Sequence, residues 1–328
     1  MRTLDRRTFV GSALAVAATG VSHPRDAFAN EPYPTRAITI VNPFAPGSVS
    51  DSAARLVGQS LQEQFGQPVI IENKVGGGGL LAGTFVQRAK PDGYTLMLTA
   101  SSSFSGAALF KTMPFDPVND FTHIARIGSF PSFVASDVRL PVKTIQEFVA
   151  YAKDNPGKLS YGHGNNMGQI VGEILKLRTG ADIVRVPYRS SPAGVVDLIS
   201  GQIQMMVPDF GTGLAHAKGG RIRPLAMFSK ERHPELPDVP TMDETVMPGF
   251  ELTAWCGLSA PANVPRDITQ KVSGAVEKAL NDPVLRQRFT NAGVDVFYGN
   301  SQEFLAFVKF QLENWTKLIK DSGIQPEG

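Results

Sequence analysis

The feature that most constrains this chain is an alternation of short β-branched apolar runs with amphipathic helical stretches. The runs at 37–41, 69–73 and 94–100 are rich in Ile, Val, Leu and Thr, which is typical of buried parallel strands. Between the first two runs, apolar residues such as Val57 and Leu61 recur at helical spacing. This β-α-β-α-β order predicts a parallel sheet with right-handed crossovers.

A second alternation begins near Ile124 and predicts a second sheet. The segments 125–134, 160–162 and 183–186 have strand patterns separated by helical ones, and the chain later returns through a strand predicted at 250–258. We therefore expect an α/β protein of two lobes joined by crossing strands. A ligand cleft is expected between the lobes, at the carboxyl ends of strands.

The predicted lobes are not both continuous in sequence. Lobe one is expected to comprise 30–128 and 254–328, and lobe two 129–253. Closure of the lobes on a ligand is expected to come from the crossing strands, near Gly128 and Phe250.

The first 29 residues have the composition of an export signal. Arg6 and Arg7 precede an apolar run over 9–18, and 27–29 (Ala-Phe-Ala) is a small-x-small cleavage signal. The arginine pair points to the twin-arginine export route. A membrane anchor is disfavoured, because a spanning helix needs about 20 apolar residues. We expect residues 1–29 to be cleaved and the remainder to be a soluble periplasmic protein.

Charge and cysteine content exclude several kinds of partner. Without residues 1–29 the chain has 28 basic and 28 acidic residues, so its formal net charge is zero. Such a chain has no global field that would attract nucleic acid or an anionic membrane. The single cysteine, Cys256, cannot form an intrachain disulfide, and its apolar neighbours predict a buried thiol. Trp315 lies on the apolar stripe of a helix predicted over 302–320, so we expect it in the core.

Three loops lie where a predicted strand ends and a predicted helix begins: 44–51, 100–105 and 162–168. They are rich in Gly, Ser and Asn and contain neither Lys nor Arg. Backbone N–H groups at a helix start attract anions without a full positive charge, and serine hydroxyls add donors. Each loop alone is an ordinary turn, but three in equivalent places favour a carboxylate-binding site. The candidate ligand-binding residues in these loops are Phe44, Pro46, Gly47, Ser48, Ser50, Asp51, Ser101, Ser102, His163, Asn165, Asn166 and Met167.

Two further candidates follow later strands. Asp209 stands just past a strand predicted at 203–207, where its carboxylate can accept hydrogen bonds from ligand N–H or O–H groups. The alternative is that Asp209 caps the next helix. Arg189 follows the strand before and either faces a second ligand carboxylate or lies in solvent.

The sequence carries no strong motif for catalysis or for a cofactor. Residues 77–82 match the relaxed pattern G-x-G-x-x-A, but the acidic residue that a dinucleotide site needs about 20 positions later is poorly placed. No phosphate-binding loop and no G-x-S-x-G nucleophile elbow occurs. His123, His163, His216 and His233 lack metal-ligand spacing. We therefore expect no enzyme activity, no metal and no cofactor.

Seven segments together resemble the substrate-binding proteins of tripartite tricarboxylate transporters, often called Bug proteins. The similarity runs from about Tyr33 to the C-terminus. Each segment alone is mostly turn and packing chemistry, and only the set is specific. The matching segments are 33–38 YPTRAI, 69–74 VIIENK with the glycines after it, 91–96 PDGYTL, 155–161 NPGKLSY, 186–189 VPYR, 236–241 LPDVPT and 257–261 GLSAP.

The resemblance implies a type II periplasmic binding protein fold that closes around its ligand. It implies a carboxylate held by backbone and hydroxyl donors, partly through water, from the loops at 44–51 and 162–168. The position of Asp209 matches the ligand-contacting strand end of the family. The resemblance further implies delivery of the ligand to a two-component membrane permease, and a monomer by analogy.

This chain departs from the family pattern in its ligand loops. Pro46 precedes a single Gly47 where two adjacent glycines are usual, and Gln169 stands where a His is common. The site is thus expected to be bulkier and more polar than usual, so the identity of the ligand does not carry over from any relative. Two alternatives to a transport receptor stay open: a sensor subunit that presents its closed form to a membrane kinase, and a small-molecule hydrolase.

Overall fold

The computed structural model describes residues 33–252 and 254–321. The predicted export signal at 1–29 lies outside the described residues. Of these, residues 36–252 and 254–321 belong to one compact unit. Within the described ranges, no helix is both long enough and apolar enough to cross a lipid bilayer.

The described residues contain eleven strands, numbered here in chain order. They are β1 (Ile38–Asn42), β2 (Val69–Asn73), β3 (Thr95–Ala100), β4 (Phe121–Ser129), β5 (Phe133–Asp137), β6 (Leu159–His163), β7 (Ile183–Pro187), β8 (Met205–Met206), β9 (Ile222–Met227), β10 (Trp255–Pro261) and β11 (Asp295–Gly299). The strands at 37–41, 69–73 and 94–100 that the apolar runs predict are therefore confirmed as β1, β2 and β3.

Eleven α-helices connect these strands within the described ranges, together with one 3₁₀ turn at Gly77–Gly79. They are α1 (Val49–Phe65), α2 (Leu80–Gln87), α3 (Ser101–Phe104), α4 (Gly106–Leu109), α5 (Ile145–Asp154), α6 (Asn166–Thr179), α7 (Ser191–Ser200), α8 (Phe210–Lys218), α9 (Arg266–Asn281), α10 (Pro283–Asn291) and α11 (Ser301–Asp321).

The strands form two separate sheets. The first has the order β11-β4-β10-β3-β1-β2, and the second has the order β7-β6-β8-β5-β9. β1 pairs in parallel with β2 and β3, and β6 pairs in parallel with β7 and β8, whereas β10 and β5 run antiparallel to their neighbours. We call the first sheet with its helices lobe one and the second sheet with its helices lobe two. The predicted α/β architecture of two sheets is confirmed.

The chain crosses between the sheets twice, and these crossings differ from the sequence prediction. The single strand predicted at 125–134 is wrong, because β4 ends at Ser129 and β5 begins at Phe133 in the other sheet. Between them the Phe130 amide donates to the Ala254 carbonyl of lobe one (2.9 Å), whereas the Phe133 amide donates to Pro208 of lobe two (3.2 Å). The apolar pattern continues through the crossing, so periodicity alone cannot reveal that the hydrogen-bond partner changes.

The core of lobe one is built around two tryptophans. Trp255 on β10 is fully buried and stacks on Trp315 of α11, with ring centroids 6.0 Å apart and planes inclined by 6°. Phe104 and Phe304 meet Trp255 edge-on, at 6.2 and 5.5 Å. Stacked and edge-on pairs of this kind add to the free energy gained by burial. The predicted burial of Trp315 and of the Cys256 thiol is confirmed.

The same core buries an ionisable side chain. His123 on β4 is 3% exposed, and its ring contacts Phe104 and Phe304 edge-on, at 6.0 and 5.3 Å. Burial lowers the pKa of His123 to about 4, since the imidazolium would lose its hydration among aromatic rings. The folded protein therefore holds this imidazole neutral at neutral pH.

We expect the free energy of unfolding to fall as the pH is lowered from 6.5 towards about 4. In that window the unfolded chain protonates His123 and the folded protein does not, so acid favours the unfolded chain. The contribution of the neutral His123 side chain to the free energy of unfolding is fully present above pH 6.5. It amounts to about 3 kcal/mol. Urea unfolding of the wild type and of His123→Phe at several pH values measures it. The same pH dependence in both proteins would contradict this role for His123.

Candidate ligand-binding site

A cavity lies between the two lobes, beside the carboxyl ends of β1, β3, β6 and β7. Its empty volume is about 560 Å³, which includes space open to solvent. The edge at which parallel strands end is the usual place for a ligand in α/β sheets. The residues that line the cavity are Phe44, Ser48, Val49, Ser50, Ala100, Ser101, Ser102, Phe130, Ser132, Gly164, Asn165, Met167, Gly168, Ser190, Ser191, Val207, Asp209, Phe228 and Ala254.

Eight of the residues predicted to bind ligand lie in this lining. They come from all three predicted loops and from the strand end after β8, so the fold brings the three loops to one place. The eight are Phe44, Ser48, Ser50, Ser101, Ser102, Asn165, Met167 and Asp209.

The remaining predicted residues lie elsewhere. His163, Asn166 and Arg189 line an adjoining groove, where Arg189 is exposed to solvent. Pro46 and Gly47 are exposed at the tip of their loop and line neither the cavity nor the groove. The loops are thus located as the sequence predicts, but only part of each loop reaches the cavity.

Asp51 stabilises the first loop, 44–51, through hydrogen bonds of its carboxylate. Its carboxylate accepts hydrogen bonds from Arg55 (3.0 and 3.1 Å), from Asn73 Nδ2 (2.9 Å) and from the Gly47 amide (3.1 Å). Burial raises the pKa of Asp51, but the hydrogen bonds from Arg55, Asn73 and Gly47 outweigh it and hold the pKa below its usual value. Asp51 therefore stays charged and fixes the loop without lining the cavity.

The start of α1 presents hydroxyl groups to the cavity. Ser48 has extended backbone geometry and caps the helix, because its Oγ accepts from the Asp51 amide at 3.2 Å. The hydroxyls of Ser48 and Ser50 lie 3.1 Å apart and share a hydrogen bond. Both residues are buried and line the cavity. A ligand oxygen at this helix start would meet these hydroxyls and the partial positive charge of the helix.

The start of α6 is shaped by a capping asparagine and a glycine. Asn165 Oδ1 accepts from the Gly168 amide at 2.9 Å. Gly164, just before, packs against the start of α7 so closely that a Cβ atom there would lie 2.2 Å from the Ser191 nitrogen. Any side chain at this position would push the two helix starts apart, so the site requires glycine at position 164.

Asp209 both caps a helix and lines the cavity. Its Oδ1 accepts from the Thr212 amide (2.9 Å) and from the Thr212 hydroxyl (2.8 Å) at the start of α8. Burial raises the pKa of Asp209, although the bonds from Thr212 oppose this shift. The two roles that the sequence leaves open for this residue are therefore compatible, because capping occupies only one carboxylate oxygen.

The electrostatics of the cavity depend on backbone groups rather than on cationic side chains. Asp209 is the only ionisable residue among the described residues that line it. Five helices, α1, α3, α6, α7 and α8, begin or have their cap at the cavity wall. Each start carries a partial positive charge. In the part of the chain that the structure describes, no cluster of three His, Cys, Asp or Glu residues is placed to hold a metal ion.

Sequence reasoning missed several lining residues. Phe130 belongs to the first crossing, which the prediction of one strand at 125–134 concealed, and Phe228 belongs to the second crossing. Ser190 and Ser191 follow β7, and the prediction chose their neighbour Arg189 instead. A serine pair followed by proline at a helix start is a capping pattern that points to these two residues.

The two lobes also touch each other beside the cavity. Asn166 Nδ2 at the start of α6 donates to the Ser102 carbonyl of lobe one at 2.9 Å. Gly78 approaches the same side chain, and a Cβ atom there would lie 2.3 Å from Asn166 Oδ1. Asn166 therefore forms a direct hydrogen bond between the lobes, and its contact with ligand stays a prediction.

Two α/β lobes around a cavity that is lined by the N-termini of helices define a solute-binding protein of the type II periplasmic class. Three solved structures share the fold. BugD, a periplasmic binding protein, is 30% identical with a TM-score of 0.85, and the match covers 90% of this chain and 100% of BugD. A protein of R. palustris with adipate has the same identity, TM-score and coverage. MatC from Rhodopseudomonas palustris with bound malate is 29% identical with a TM-score of 0.81, and the match covers 88% and 100% of the two chains.

The family model described as the tripartite tricarboxylate transporter family receptor matches residues 53–324. The chain belongs to this family, and its similarity to BugD places it among the Bug-type receptors. The predicted family and the predicted type II fold are thereby confirmed. The family and its structural neighbours are solute-binding proteins, so the prediction that the chain is not an enzyme is confirmed and the hydrolase alternative is wrong.

We expect Asn166→Ala to weaken ligand binding by about fivefold, because the bond to Ser102 exists only when the lobes are together and contributes about 1 kcal/mol. Small-angle X-ray scattering should show a larger radius of gyration for the ligand-free variant than for the wild type. Asn281→Ala, which changes an exposed asparagine at the end of α9, is the matched control. Equal affinity and equal scattering in Asn166→Ala and wild type would show that this hydrogen bond does not hold the lobes together.

Proposed function

We propose that this protein is a periplasmic receptor that captures a small organic acid between its lobes and delivers it to a membrane permease of the tripartite tricarboxylate type. The observation that carries the proposal is the convergence of helix starts from both lobes on a cavity whose described lining has no cationic side chain. Membership of the receptor family supports delivery to a permease. Neighbours of the same fold solved with adipate and with malate support a carboxylate ligand.

The proposed binding mode divides the predicted residues into three groups. The eight that line the cavity contact the acid, chiefly through hydroxyl and backbone N–H donors. Asp51 with Pro46 and Gly47 maintains the first loop, and His163, Asn166 and Arg189 act where the lobes meet. Asp209 uses Oδ1 to cap α8, so Oδ2 is the oxygen that accepts a bond from a hydroxyl or amino group of the ligand.

The proposed lobes are 30–128 with 254–328, and 129–253. Closure then comes from the two crossings, at 130–132 and at 228–254, of which Thr253 lies outside the described residues. The bond from the Phe130 amide to the Ala254 carbonyl supports this proposal, since it ties the two crossings together at the base of the cleft. Identical scattering profiles with and without saturating ligand would argue against closure.

We further propose that the chain is exported by the twin-arginine route and works as a soluble monomer. Arg6 and Arg7 before the apolar run at 9–18 support this route, and family membership supports a periplasmic location. The twin-arginine route exports proteins that have already folded. The single cysteine agrees with such a pathway, since no intrachain disulfide has to form afterwards.

We expect carboxylates to raise the melting temperature of the purified protein. A ligand at 100 times its Kd adds about 2.7 kcal/mol to the free energy of unfolding. For a chain of this size that corresponds to a rise of about 5–10 °C. Differential scanning fluorimetry against carboxylates, amino acids and neutral sugars measures the shift. If a sugar or a cation raises the melting temperature and no acid does, the proposed ligand class is wrong.

We expect Asp209→Asn to keep the fold and to weaken binding of acids that carry a hydroxyl or amino group by about tenfold. Asparagine caps helices as well as aspartate does, so the free energy of unfolding should change by less than about 0.5 kcal/mol. The amide, however, presents N–H groups in place of the accepting Oδ2. Calorimetric titration compares the variant with Asp238→Asn, which removes an exposed carboxylate in the segment between β9 and β10. Unchanged affinity in Asp209→Asn would remove Asp209 from the ligand contacts.

A further inference from the structure

Lobe one contacts lobe two at a second place, through the turn at 292–295 that joins α10 to β11. β11 is one edge strand of the first sheet, and β2 is the edge strand on the opposite side. The loop after β2 contains Gly78, which approaches Asn166. The turn at 292–295 therefore lies on the other side of the sheet from the bond between Asn166 and Ser102.

Two glycines bring the backbones of the lobes together at this turn. Gly211 lies in the first turn of α8, two residues after Asp209. A Cβ atom at Gly293 would lie 2.4 Å from the Gly211 nitrogen, and a Cβ atom at Gly211 would lie 2.7 Å from the Ala292 carbonyl oxygen. Because no side chain fits at either position, the two backbones can approach this closely only with glycine on both sides.

A histidine–aspartate pair joins the lobes at the end of the same turn. His233 Nε2 lies 3.4 Å from Oδ1 and 3.3 Å from Oδ2 of Asp295. The Glu235 amide donates to His233 Nδ1 at 3.1 Å, so the neutral imidazole carries its hydrogen on Nε2 and donates it to Asp295. His233 follows β9 of lobe two and Asp295 begins β11 of lobe one, so the bond connects the lobes.

The packing around His233 fixes it to lobe two. Its carbonyl accepts from the Leu236 amide at 2.9 Å, and Leu236 packs in the hydrophobic core of lobe two. Its ring meets the Phe210 ring edge-on, with centroids 4.5 Å apart. Phe210 directly follows Asp209, which lines the cavity. The start of α8 therefore contacts the cavity and supports His233 at the same time.

Asp295 is fixed to lobe one beside the first crossing. It is the antiparallel partner of Ser129, the last residue of β4, after which the chain leaves for lobe two. Gly128 packs so closely that a Cβ atom there would lie 2.2 Å from the Asp295 carbonyl oxygen. His233, Asp295 and the crossing at 129–132 line one groove. The pair thus lies next to the covalent connection between the lobes.

We infer that His233 and Asp295 form a third, noncovalent connection between the lobes, beside the crossings at 130–132 and 228–254, and that it limits how far the lobes open. The two crossings are bonded to each other, so they hold the lobes at one place. Small backbone changes there would permit twisting as well as opening. A further contact beside the crossings removes some of these motions.

A limit on opening also affects ligand affinity, and this part of the inference rests on the proposed receptor function. A protein whose binding-competent form is only partly populated binds with an affinity reduced by that fraction. Without the pair, open and twisted forms become more populated, and the form with both cavity walls in place becomes rarer. His233 and Asp295 do not line the cavity, so they act by positioning the lobes rather than by touching the ligand.

The test is the distance between the lobes in the ligand-free protein, measured by double electron–electron resonance. Spin labels are attached at Leu81→Cys on α2 and Val196→Cys on α7, two exposed positions on different lobes, while the native Cys256 is buried. His233→Ala and Asp295→Ala should each give a longer mean distance and a broader distribution than the otherwise wild-type protein. The double variant should add nothing to either single change, because both remove the same bond.

Conservative variants separate the bond from the side chains that form it. His233→Gln and Asp295→Asn should give the wild-type distribution, because glutamine donates through Nε2 and asparagine accepts through Oδ1. Asp238→Ala is the matched control, since it removes an exposed carboxylate from the segment that carries His233. Thermal unfolding of each ligand-free variant reports whether the fold is kept. A lower melting temperature with unchanged distances would assign the pair a purely structural role and overturn the inference.

Calorimetric titration with adipate and with malate measures the effect on affinity. His233→Ala and Asp295→Ala should bind about threefold more weakly than the wild type, and His233→Gln should bind as the wild type does. The expected loss is small because the Asp295 side chain is 47% exposed and solvent weakens the pair. Longer distances with unchanged affinities would support the limit on opening and overturn its effect on binding.

Two further results would overturn the third connection while leaving the receptor function intact. They are additive changes of distance in the double variant, and an equal change of distance in Asp238→Ala. If neither acid binds the wild type, that result counts against the proposed function, and the distances in the ligand-free protein still decide whether His233 and Asp295 connect the lobes.

Discussion

The convergence of helix starts on one cavity is the interaction on which the rest of this structure depends. Helix starts attract an anion through partial charges on fixed backbone groups, so no buried cationic side chain has to be paired when the ligand is absent. The arrangement is possible because β1 with β3 and β6 with β7 end at the edges of two sheets that border the same cavity. The aromatic core around Trp255 and the bracing of the first loop by Asp51 keep these edges in place.

The protein caps three of these helix starts with its own side chains. Ser48, Asn165 and Asp209 each cap a helix and still line the cavity, so their positions are set by local hydrogen bonds before a ligand arrives. The start of α7 lacks such a cap. Contacts between the lobes, such as that of Asn166 with the Ser102 carbonyl, exist only when the lobes are together. In the proposed binding mode, ligand contacts and lobe contacts stabilise the same arrangement of the two lobes.

The sequence predicts the loops of the site better than the residues within them. The loops at 44–51 and 162–168 are recognisable because each joins a strand pattern to a helix pattern through Gly, Ser and Asn. Which side chains of a loop reach the cavity depends on the turn of the backbone and on the packing beneath it. The Asp51 carboxylate bonds to Arg55 and Asn73 and does not line the cavity, and Arg189 lines the adjoining groove whereas the serines that follow it line the cavity.

The sequence by itself determined the α/β class, the succession of strands and helices and the family, because these are encoded in local periodicity and short motifs. Only the tertiary structure decided where the chain leaves one sheet for the other, since the apolar pattern runs through 125–134 without a break while the hydrogen-bond partners change. It also decided that Asn166 bonds to the opposite lobe and that Ser191 lines the cavity. Both depend on residues distant in sequence, whose approach is set by strand pairing and by the close packing of glycines such as Gly164.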